Sequence, residues 1–312
     1  MNTIPVRILV ALSVALSLSP VAGAARQPIA QPQQTFRSSV DLVTIQASVR
    51  DRRGRPMKGL TAGDFEVRDN GQLRPILSWR SDLRSPVSLA IMVDMSGSMR
   101  VGSKIAMARQ AFDSVLSQLR DGVDEVALIT FDSTWHERQD FTRDLGSLRG
   151  ALSDFEAFGT TSLYDATAAT ARRLAARTAS HKAIIVLTDG MDTSSTLNAS
   201  QVSGLASSID VPVYVVATVP SVDQRAMMEV ADRAPQSGSA DLRDLAEWTG
   251  GVFVFASTFT ETVVAASSLV EGLRQQYVLA IEAAVAHEWR RLDIRVKHPT
   301  ATVKARSGYF GG

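Results

Sequence analysis

The sequence predicts an α/β protein with a doubly wound, mostly parallel sheet, to which strands from both ends of the chain add a small β-sandwich. Three observations support this prediction. Continuous apolar runs recur through the middle of the chain, helical segments separate them, and alternating polar and apolar residues mark the outer parts. Continuous runs suit strands that are buried on both faces of a parallel sheet. Repeated alternation of strand and helix places helices on both faces of that sheet.

The middle region, residues 86–275, is expected to form the α/β domain. Buried strands are predicted at 89–93, 126–131, 183–187, 211–217 and 252–255. Helices are predicted at 104–119, 145–155, 163–177, 200–209, 241–248 and 260–275. The segment 135–141 is expected to add one antiparallel edge strand, and 221–240 is a polar insertion with room for a short helix.

The outer parts, residues 37–85 and 276–312, are expected to form one β module. The first part predicts strands at 40–49, 64–68 and 73–79, with Asn70-Gly71 as a strong hairpin signal. The second part predicts strands at 277–281, 291–296 and 302–306. A lone hairpin is marginally stable. We therefore expect residues 40–80 to contact residues 277–306 in a β-sandwich, with the α/β domain inserted between its halves.

Residues 1–24 have the profile of a secretory signal peptide. Arg7 gives a positively charged start, residues 8–18 form an apolar run broken by two serines, and Ala22-Gly23-Ala24 is a small-residue cleavage pattern. The run is shorter than the ~20 apolar residues that span a bilayer. An uncleaved anchor and a buried helix are the alternatives. Residues 25–36 are expected to be a flexible lead-in. We expect an exported protein, periplasmic or extracellular, with no membrane span after cleavage.

Composition narrows the classes of function. Hydrophobic residues make up 45% of the chain and charged residues 21%, as in a globular protein. The 33 basic and 32 acidic residues give a formal net charge of +1, so no long-range field favours a nucleic-acid partner. The chain has no cysteine, which excludes disulfides, thiolate metal ligands and a cysteine nucleophile.

Hydroxyl and carboxylate side chains follow the first predicted strand of the α/β domain. Asp94, Ser96 and Ser98 occupy alternate positions where that strand ends and a loop leads to a helix. In open α/β sheets, ligands bind at the carboxyl ends of strands near the switch point of the topology. Hard oxygen donors at this spacing converge on one point and suit Mg²⁺, Mn²⁺ or Ca²⁺. Taken alone, the same residues are equally well explained as a helix N-cap.

Two further loops supply matching donors. The run Gly-Thr-Thr-Ser at 159–162 precedes a predicted helix, and Thr-Asp-Gly at 188–190 ends another buried strand. Both loops are expected at the same edge of the sheet as Asp94. Agreement among three loops favours a metal site over three unrelated caps. Asp165 and Asp192 are expected to cap or support the site.

The combination of Asp-x-Ser-x-Ser, a Gly-Thr loop and Thr-Asp-Gly resembles the metal-ion-dependent adhesion site of von Willebrand factor A domains. The resemblance implies that Ser96, Ser98 and Thr161 bind the metal directly, and that Asp94 and Asp189 bind it directly or through water. Thr160 is the alternative threonine. Outer motifs resemble a bacterial, exported subfamily over nearly the whole mature chain: Gly-Leu-Thr at 59–61, Leu-Tyr-Asp-Ala at 163–166, Thr-Gly-Gly at 249–251, Gln-Tyr-Val at 276–278 and Ser-Gly-Tyr at 307–309.

The resemblance implies binding and no catalysis. Few carboxylates touch the ion in such a site, so the metal stays electrophilic, and an acidic side chain of a partner protein completes its coordination. We therefore expect a metal-dependent protein–protein interaction or adhesion. In related domains the last helix shifts when a ligand binds, which makes 260–275 the corresponding lever here.

Two alternatives stand beside that function. One is a Mg²⁺-dependent, phosphatase-like enzyme with Asp94 as nucleophile. The other is a structural domain with a vestigial site. The sequence has no P-loop motif, and Met95-Ser96-Gly97 is not the Gly-x-Ser-x-Gly elbow of a serine hydrolase.

Overall fold

The structure is a computed structural model of the 312-residue chain. It describes residues 42–81, 85–152, 156–179, 181–190, 192–208, 210–219, 238–285 and 287–310. The predicted signal peptide and lead-in, and most of the insertion at 221–240, lie outside the described residues. Within this described part, no helix is both long enough and apolar enough to cross a membrane.

Fourteen strands and five helices are found in the described ranges. The strands are β1 (Leu42–Arg50), β2 (Phe65–Asp69), β3 (Gln72–Arg74), β4 (Ser78–Ser81), β5 (Val87–Asp94), β6 (Glu125–Phe131), β7 (Trp135–Thr142), β8 (His181–Thr188), β9 (Val213–Thr218), β10 (Phe253–Ala256), β11 (Gln276–Glu282), β12 (Trp289–Val296), β13 (Thr302–Lys304) and β14 (Gly308–Phe310). The helices are α1 (Lys104–Ser117), α2 (Leu163–Ala175), α3 (Ala199–Ser208), α4 (Gly238–Thr249) and α5 (Phe259–Arg274).

A six-stranded sheet forms the centre of the α/β domain. Its spatial order is β10-β9-β8-β5-β6-β7. The strands from β10 to β6 are parallel, and β7 is the predicted antiparallel edge strand. Every residue of β5, β6 and β9 is buried. Strands buried on both faces need the continuous apolar runs that the sequence shows. The predicted fold class is confirmed.

Helices cover both faces of this sheet. On one face, α1 and α5 pack through side chains such as Phe112 and Leu269. On the other, α2, α3 and α4 pack through Leu163, Val202 and Leu245. These five helices follow the prediction, with ends displaced by a few residues.

The prediction of a helix at 145–155 is wrong for residues 145–152, the part of this segment that the structure describes. The chain forms a single 3-10 turn, Leu145–Leu148, which begins at Asp144. The Asp144 carboxylate accepts the Ser147 backbone N–H at 3.3 Å. Gly150 then takes a left-handed conformation with φ of 77°. An α-helix does not continue through a residue in that region, so the apolar spacing of Leu145, Leu148 and Leu152 serves a turn that packs on the core.

The outer strands pair across the α/β domain as expected. β1 is antiparallel to β11, with Leu42 opposite Glu282, and β2 is antiparallel to β12, with Phe65 opposite Val296. The resulting sheets have the orders β13-β1-β11-β4 and β14-β12-β2-β3. They share one apolar core, which includes Ile45, Val67, Leu279 and Leu292. Strands within residues 42–81 therefore pair with strands within residues 276–304, and the expected β-sandwich is present.

Near Pro75 and near the end of the chain, consecutive strands belong to different sheets. The segment predicted at 73–79 ends as β3 in one sheet and resumes as β4 in the other. Pro75 lies between them, and proline interrupts a ladder because it has no backbone N–H. The segment predicted at 302–306 forms β13, and β14 follows in the opposite sheet. The sequence prediction missed β14, a strand of three residues.

Arg306 joins the sandwich to the α/β domain. Its side chain is 4% exposed, and its guanidinium group donates hydrogen bonds to the carbonyl oxygens of Ser207 in α3 and Thr44 in β1. The Asp210 carboxylate lies 3.6 Å from Nε of Arg306. A buried guanidinium group needs such partners, because an unpaired buried charge is strongly unfavourable. The contacts hold α3 against β1.

Asp124 lies at the end of the sheet opposite the carboxyl end of β5. Its carboxylate is buried and accepts the Val87 N–H at 3.1 Å and the Arg120 N–H at 2.7 Å. The guanidinium groups of Arg120 and Arg274 also donate to it. Burial opposes ionisation, but these hydrogen bonds outweigh it and lower the pKa of Asp124 to about 2. Because Arg274 is the last residue of α5, the carboxylate ties that helix to the start of β5.

Replacing Asp124 with Asn is expected to lower the free energy of unfolding near neutral pH, because two guanidinium groups lose their counter-charge. A carboxyl group whose folded-state pKa lies below 3.8 contributes stability above that value and loses it as the pH falls through about 2. The difference in unfolding free energy between wild type and Asp124→Asn should therefore be full above about pH 5 and shrink below it. Urea denaturation at stepped pH measures this. A difference that stays constant down to about pH 3 would contradict the assignment.

Candidate metal centre

Three loops meet where the sheet order reverses. The chain leaves β5 for β6 on one side and later returns to β8 on the other side of β5. Such a switch point opens a crevice at the carboxyl ends of the strands. The first loop follows β5, the second precedes α2, and the third follows β8.

The first loop is built around Asp94, the last residue of β5, whose side chain is fully buried. One carboxylate oxygen accepts the Ser96 backbone N–H at 2.8 Å, and the other accepts the Thr188 hydroxyl at 2.6 Å. Ser96 is buried, and its Oγ lies 3.1 Å from Oγ of Ser98, which is exposed. The loop therefore places two hydroxyl oxygens side by side next to a buried carboxylate.

Close backbone contacts join the second loop to the first. The Gly97 N–H donates to the Gly159 carbonyl at 2.9 Å, and the Phe158 N–H donates to the Met95 carbonyl at 2.6 Å. A Cβ on Gly97 would lie 3.3 Å from the Gly159 carbonyl oxygen, so glycine suits the contact. Gly159 itself has φ of 86°, a left-handed conformation that favours glycine.

Thr161 is held beside this junction. It is buried, whereas Thr160 is exposed. The Thr161 N–H donates to Oγ1 of Thr193 at 2.9 Å, and the Thr161 carbonyl accepts the N–H groups of Thr193 and Ser194. The backbone of Thr161 is therefore fixed on both sides.

The third loop begins with Asp189, which is buried. Its Oδ2 lies 3.0 Å from Nζ of Lys104, the first residue of α1. Its Oδ1 is buried and has no hydrogen-bond partner among the described residues. The Gly190 N–H donates to Oγ1 of Thr188 at 3.1 Å, so the Thr188 hydroxyl links this loop to Asp94.

Two other aspartates brace the third loop against α2. Asp192 accepts the Tyr164 N–H at 3.1 Å and the Ser195 hydroxyl at 2.6 Å. Asp165 accepts the Leu197 N–H at 2.9 Å. Both carboxylates are engaged by the loop and the helix, which is the supporting role expected of them.

The electrostatics of the site favour a cation. Burial raises the pKa of Asp94 to about 6 against the hydrogen bonds from Thr188 and Ser96, and the charge of Asp189 adds to the rise. The desolvated Asp94 carboxylate and Oδ1 of Asp189, which has no hydrogen-bond partner among the described residues, would each be stabilised by a nearby positive charge. Hydroxyl and carboxylate oxygens are donors that Mg²⁺ prefers. The residues present therefore fit a hard divalent ion.

The five predicted ligand residues lie on the three joined loops, with Asp94, Ser96 and Ser98 on the first, Thr161 on the second and Asp189 on the third. Among the residues described, no cluster of three or more His, Cys, Asp or Glu is placed to hold a metal. The donor set therefore depends on its hydroxyl groups.

The sequence prediction missed Lys104. A signal for it exists, because lysine at the start of a helix is disfavoured by the positive end of the helix dipole. Its presence at the first position of α1 indicates an acidic partner nearby, and the structure identifies that partner as Asp189.

Residues 89–191 match the family described as von Willebrand factor type A domain. No curated protein matches the sequence at a significant level. Among solved structures, the chain is similar to the conserved hypothetical protein BatB from Bacteroides thetaiotaomicron, with 16% identity over 60% of this chain and 98% of that chain and a TM-score of 0.46. It is also similar to a mutant of the PilB minor pilin from Streptococcus sanguinis. The identity is 13%, the alignment covers 65% of this chain and 64% of that chain, and the TM-score is 0.48.

A third similar structure is proximal thread matrix protein 1 from the mussel byssus, solved with a zinc-occupied MIDAS motif. The identity is 15%, the alignment covers 66% of this chain and 49% of that chain, and the TM-score is 0.50. At this identity the likeness shows a shared fold.

Replacing Thr188 with Val is expected to lower the free energy of unfolding by roughly 2 kcal/mol. Valine keeps the shape of the buried side chain, but Asp94 and the Gly190 N–H each lose a hydrogen-bond partner. Urea denaturation measures the loss. Thr160→Val, at an exposed position of the second loop, is the matched control and should change stability by less than about 0.5 kcal/mol. Equally small losses in both variants would contradict the role of the Thr188 hydroxyl.

Proposed function

We propose that this protein is exported, binds a divalent metal at the three joined loops, and binds another protein through that metal. The match of residues 89–191 to the family described as von Willebrand factor type A domain supports this proposal. One observation carries the proposal: a buried Asp189 oxygen has no hydrogen-bond partner among the described residues, and it lies on a loop that the Thr188 hydroxyl ties to Asp94. Export rests on the signal-peptide profile of residues 1–24.

The ligands follow from this arrangement. Ser96, Ser98 and Thr161 offer hydroxyl oxygens, and Asp94 and Asp189 bind the ion directly or through water. The burial and fixed backbone of Thr161 support it over the exposed Thr160. Mg²⁺ is the expected ion, with Mn²⁺ and Ca²⁺ as close substitutes, since all three prefer oxygen donors.

A bound divalent ion supplies positive charge and a coordination position for an oxygen from outside the protein. The serine and threonine hydroxyls carry no charge, so few of the ligands neutralise the ion and it stays electrophilic. An acidic side chain of a partner protein is therefore the expected external ligand.

Exposed apolar side chains support a protein partner. Phe158 is 76% exposed and Val101 is 63% exposed. Phe158 lies on the second loop, where its N–H bonds to Met95, and Val101 follows the 3-10 turn of the first loop. Exposed apolar residues beside a polar site mark protein interfaces more often than isolated surface positions do. We expect apolar contacts around the acidic ligand of the partner.

Binding is better supported than catalysis by Asp94. A nucleophilic carboxylate must reach its substrate, but Asp94 is fully buried and both of its oxygens accept hydrogen bonds. The second aspartate that a phosphatase of this type uses two residues later is Ser96 here. A phosphatase turnover that Asp94→Asn abolishes would favour the enzyme instead.

The purified protein is expected to bind one Mg²⁺ or Mn²⁺ ion in calorimetric titration. Asp94→Ala, Ser96→Ala and Thr161→Val should each weaken that binding by at least roughly tenfold, because each removes a donor or its support. Thr160→Val is the control that should retain wild-type affinity. Circular dichroism verifies that each variant is folded. Equal affinity in the wild type and Asp94→Ala would exclude this site.

A metal-dependent partner is expected in envelope extract. Protein captured in Mg²⁺ should be released by a chelator and should not be captured by Ser96→Ala. Phe158→Ser should weaken capture but leave the Mg²⁺ affinity unchanged, because the side chain is exposed beside the donors. Val285→Ser, at a valine that is 97% exposed in the β-sandwich, is the matched control. Capture that persists in chelator would contradict the metal-dependent interaction.

A further inference from the structure

Lys104 brings a cationic side chain to the candidate metal centre. Its Nζ lies 3.0 Å from Oδ2 of Asp189, and the two side chains are 14% and 5% exposed. The position is intrinsically unfavourable, because the start of α1 already carries partial positive charge. The ion pair with Asp189 offsets that cost. Since the pair is mostly buried, it is screened by salt much less than a surface pair.

The ion pair involves Oδ2 of Asp189, and Oδ1 takes no part in it. Oδ1 is buried and has no hydrogen-bond partner within the described ranges. Oδ1 is therefore the oxygen of Asp189 that is left for an ion or its water.

Lys104 also changes the charge of the site. Asp94 and Asp189 together carry two negative charges when ionised, and Lys104 returns one positive charge. Asp132, on the loop that follows β6, accepts the Thr134 N–H at 2.8 Å and contributes the same charge whether or not Lys104 is present. With a divalent ion bound, the charges of the ion, Asp94, Asp189 and Lys104 sum to +1, and the sum falls to zero without Lys104.

We propose that Lys104 tunes the metal centre toward anionic partners: it weakens the binding of the divalent ion and strengthens the binding of a carboxylate to the loaded site. The inference rests on the proposed metal-dependent function. Its physical basis is Coulombic, because a fixed cation near the ion repels it and attracts an incoming anion. The two affinities are therefore expected to move in opposite directions when the charge is removed.

The test compares the wild type with Lys104→Met, which keeps the length of the side chain and removes its charge. Electron paramagnetic resonance of free Mn²⁺ gives the ion affinity. Water-proton relaxation of the Mn²⁺-loaded protein gives the acetate affinity, because acetate displaces metal-bound water. We expect Lys104→Met to bind Mn²⁺ roughly tenfold more tightly and acetate several-fold more weakly.

Two control variants separate the effect of the Lys104 charge from the effects of any substitution near the site. Arg100→Met removes an exposed cation from the 3-10 turn of the first loop and should leave both affinities near their wild-type values. Lys104→Arg keeps the charge and should also retain both. Should the methionine variant fail to fold, Lys104→Gln replaces it.

The outcomes distinguish the two proposals. If the wild type does not bind Mn²⁺, the proposed function fails, and this inference fails with it. If the wild type binds Mn²⁺ but Lys104→Met binds it no more tightly, or binds acetate equally well, the inference about Lys104 alone is overturned. A structural role for Lys104 would lower both affinities together, and that result would also overturn it.

Discussion

The buried carboxylate of Asp94 is the group on which the arrangement of the loops depends. A carboxylate at the end of a central strand is unfavourable without partners. Its partners here are the Ser96 N–H and the Thr188 hydroxyl, and they determine the surrounding geometry. The first bends the chain after β5 so that the serine hydroxyls lie together. The second ties β5 to the end of β8. The loops are thus held by the same group whose charge a cation would balance.

Most of the α/β domain could be predicted because its strands are buried on both faces. Burial on two faces requires an apolar residue at every position, and such a run is visible without knowledge of its neighbours. The exceptions depended on the backbone conformation of single residues and on which sheet a strand joins. The apolar spacing at Leu145, Leu148 and Leu152 resembles a helix, but the left-handed Gly150 ends it. Pro75 separates two strands that belong to different sheets. The sequence pattern of a strand does not show which sheet it joins.

At the candidate metal centre, too, local sequence patterns could be read, whereas pairings between distant residues could not. Asp94, Ser96 and Ser98 are close in sequence, and Asp189 ends a recognisable strand, so local patterns revealed them. The partnership of Lys104 with Asp189 joins residues 85 positions apart, and that of Thr188 with Asp94 joins residues 94 positions apart. Neither pairing has a local pattern. Thr161 and Thr160 differ in burial, which two adjacent threonines do not disclose in the sequence.

The register of the sandwich determines where the α/β domain is attached. Tyr277, which follows α5, lies opposite Ser81 in the antiparallel pairing of β11 with β4. The α/β domain therefore leaves and rejoins one sheet through hydrogen-bonded neighbours. Because the two points of attachment adjoin each other, an insertion of different length at this place would leave the register of the sandwich unchanged.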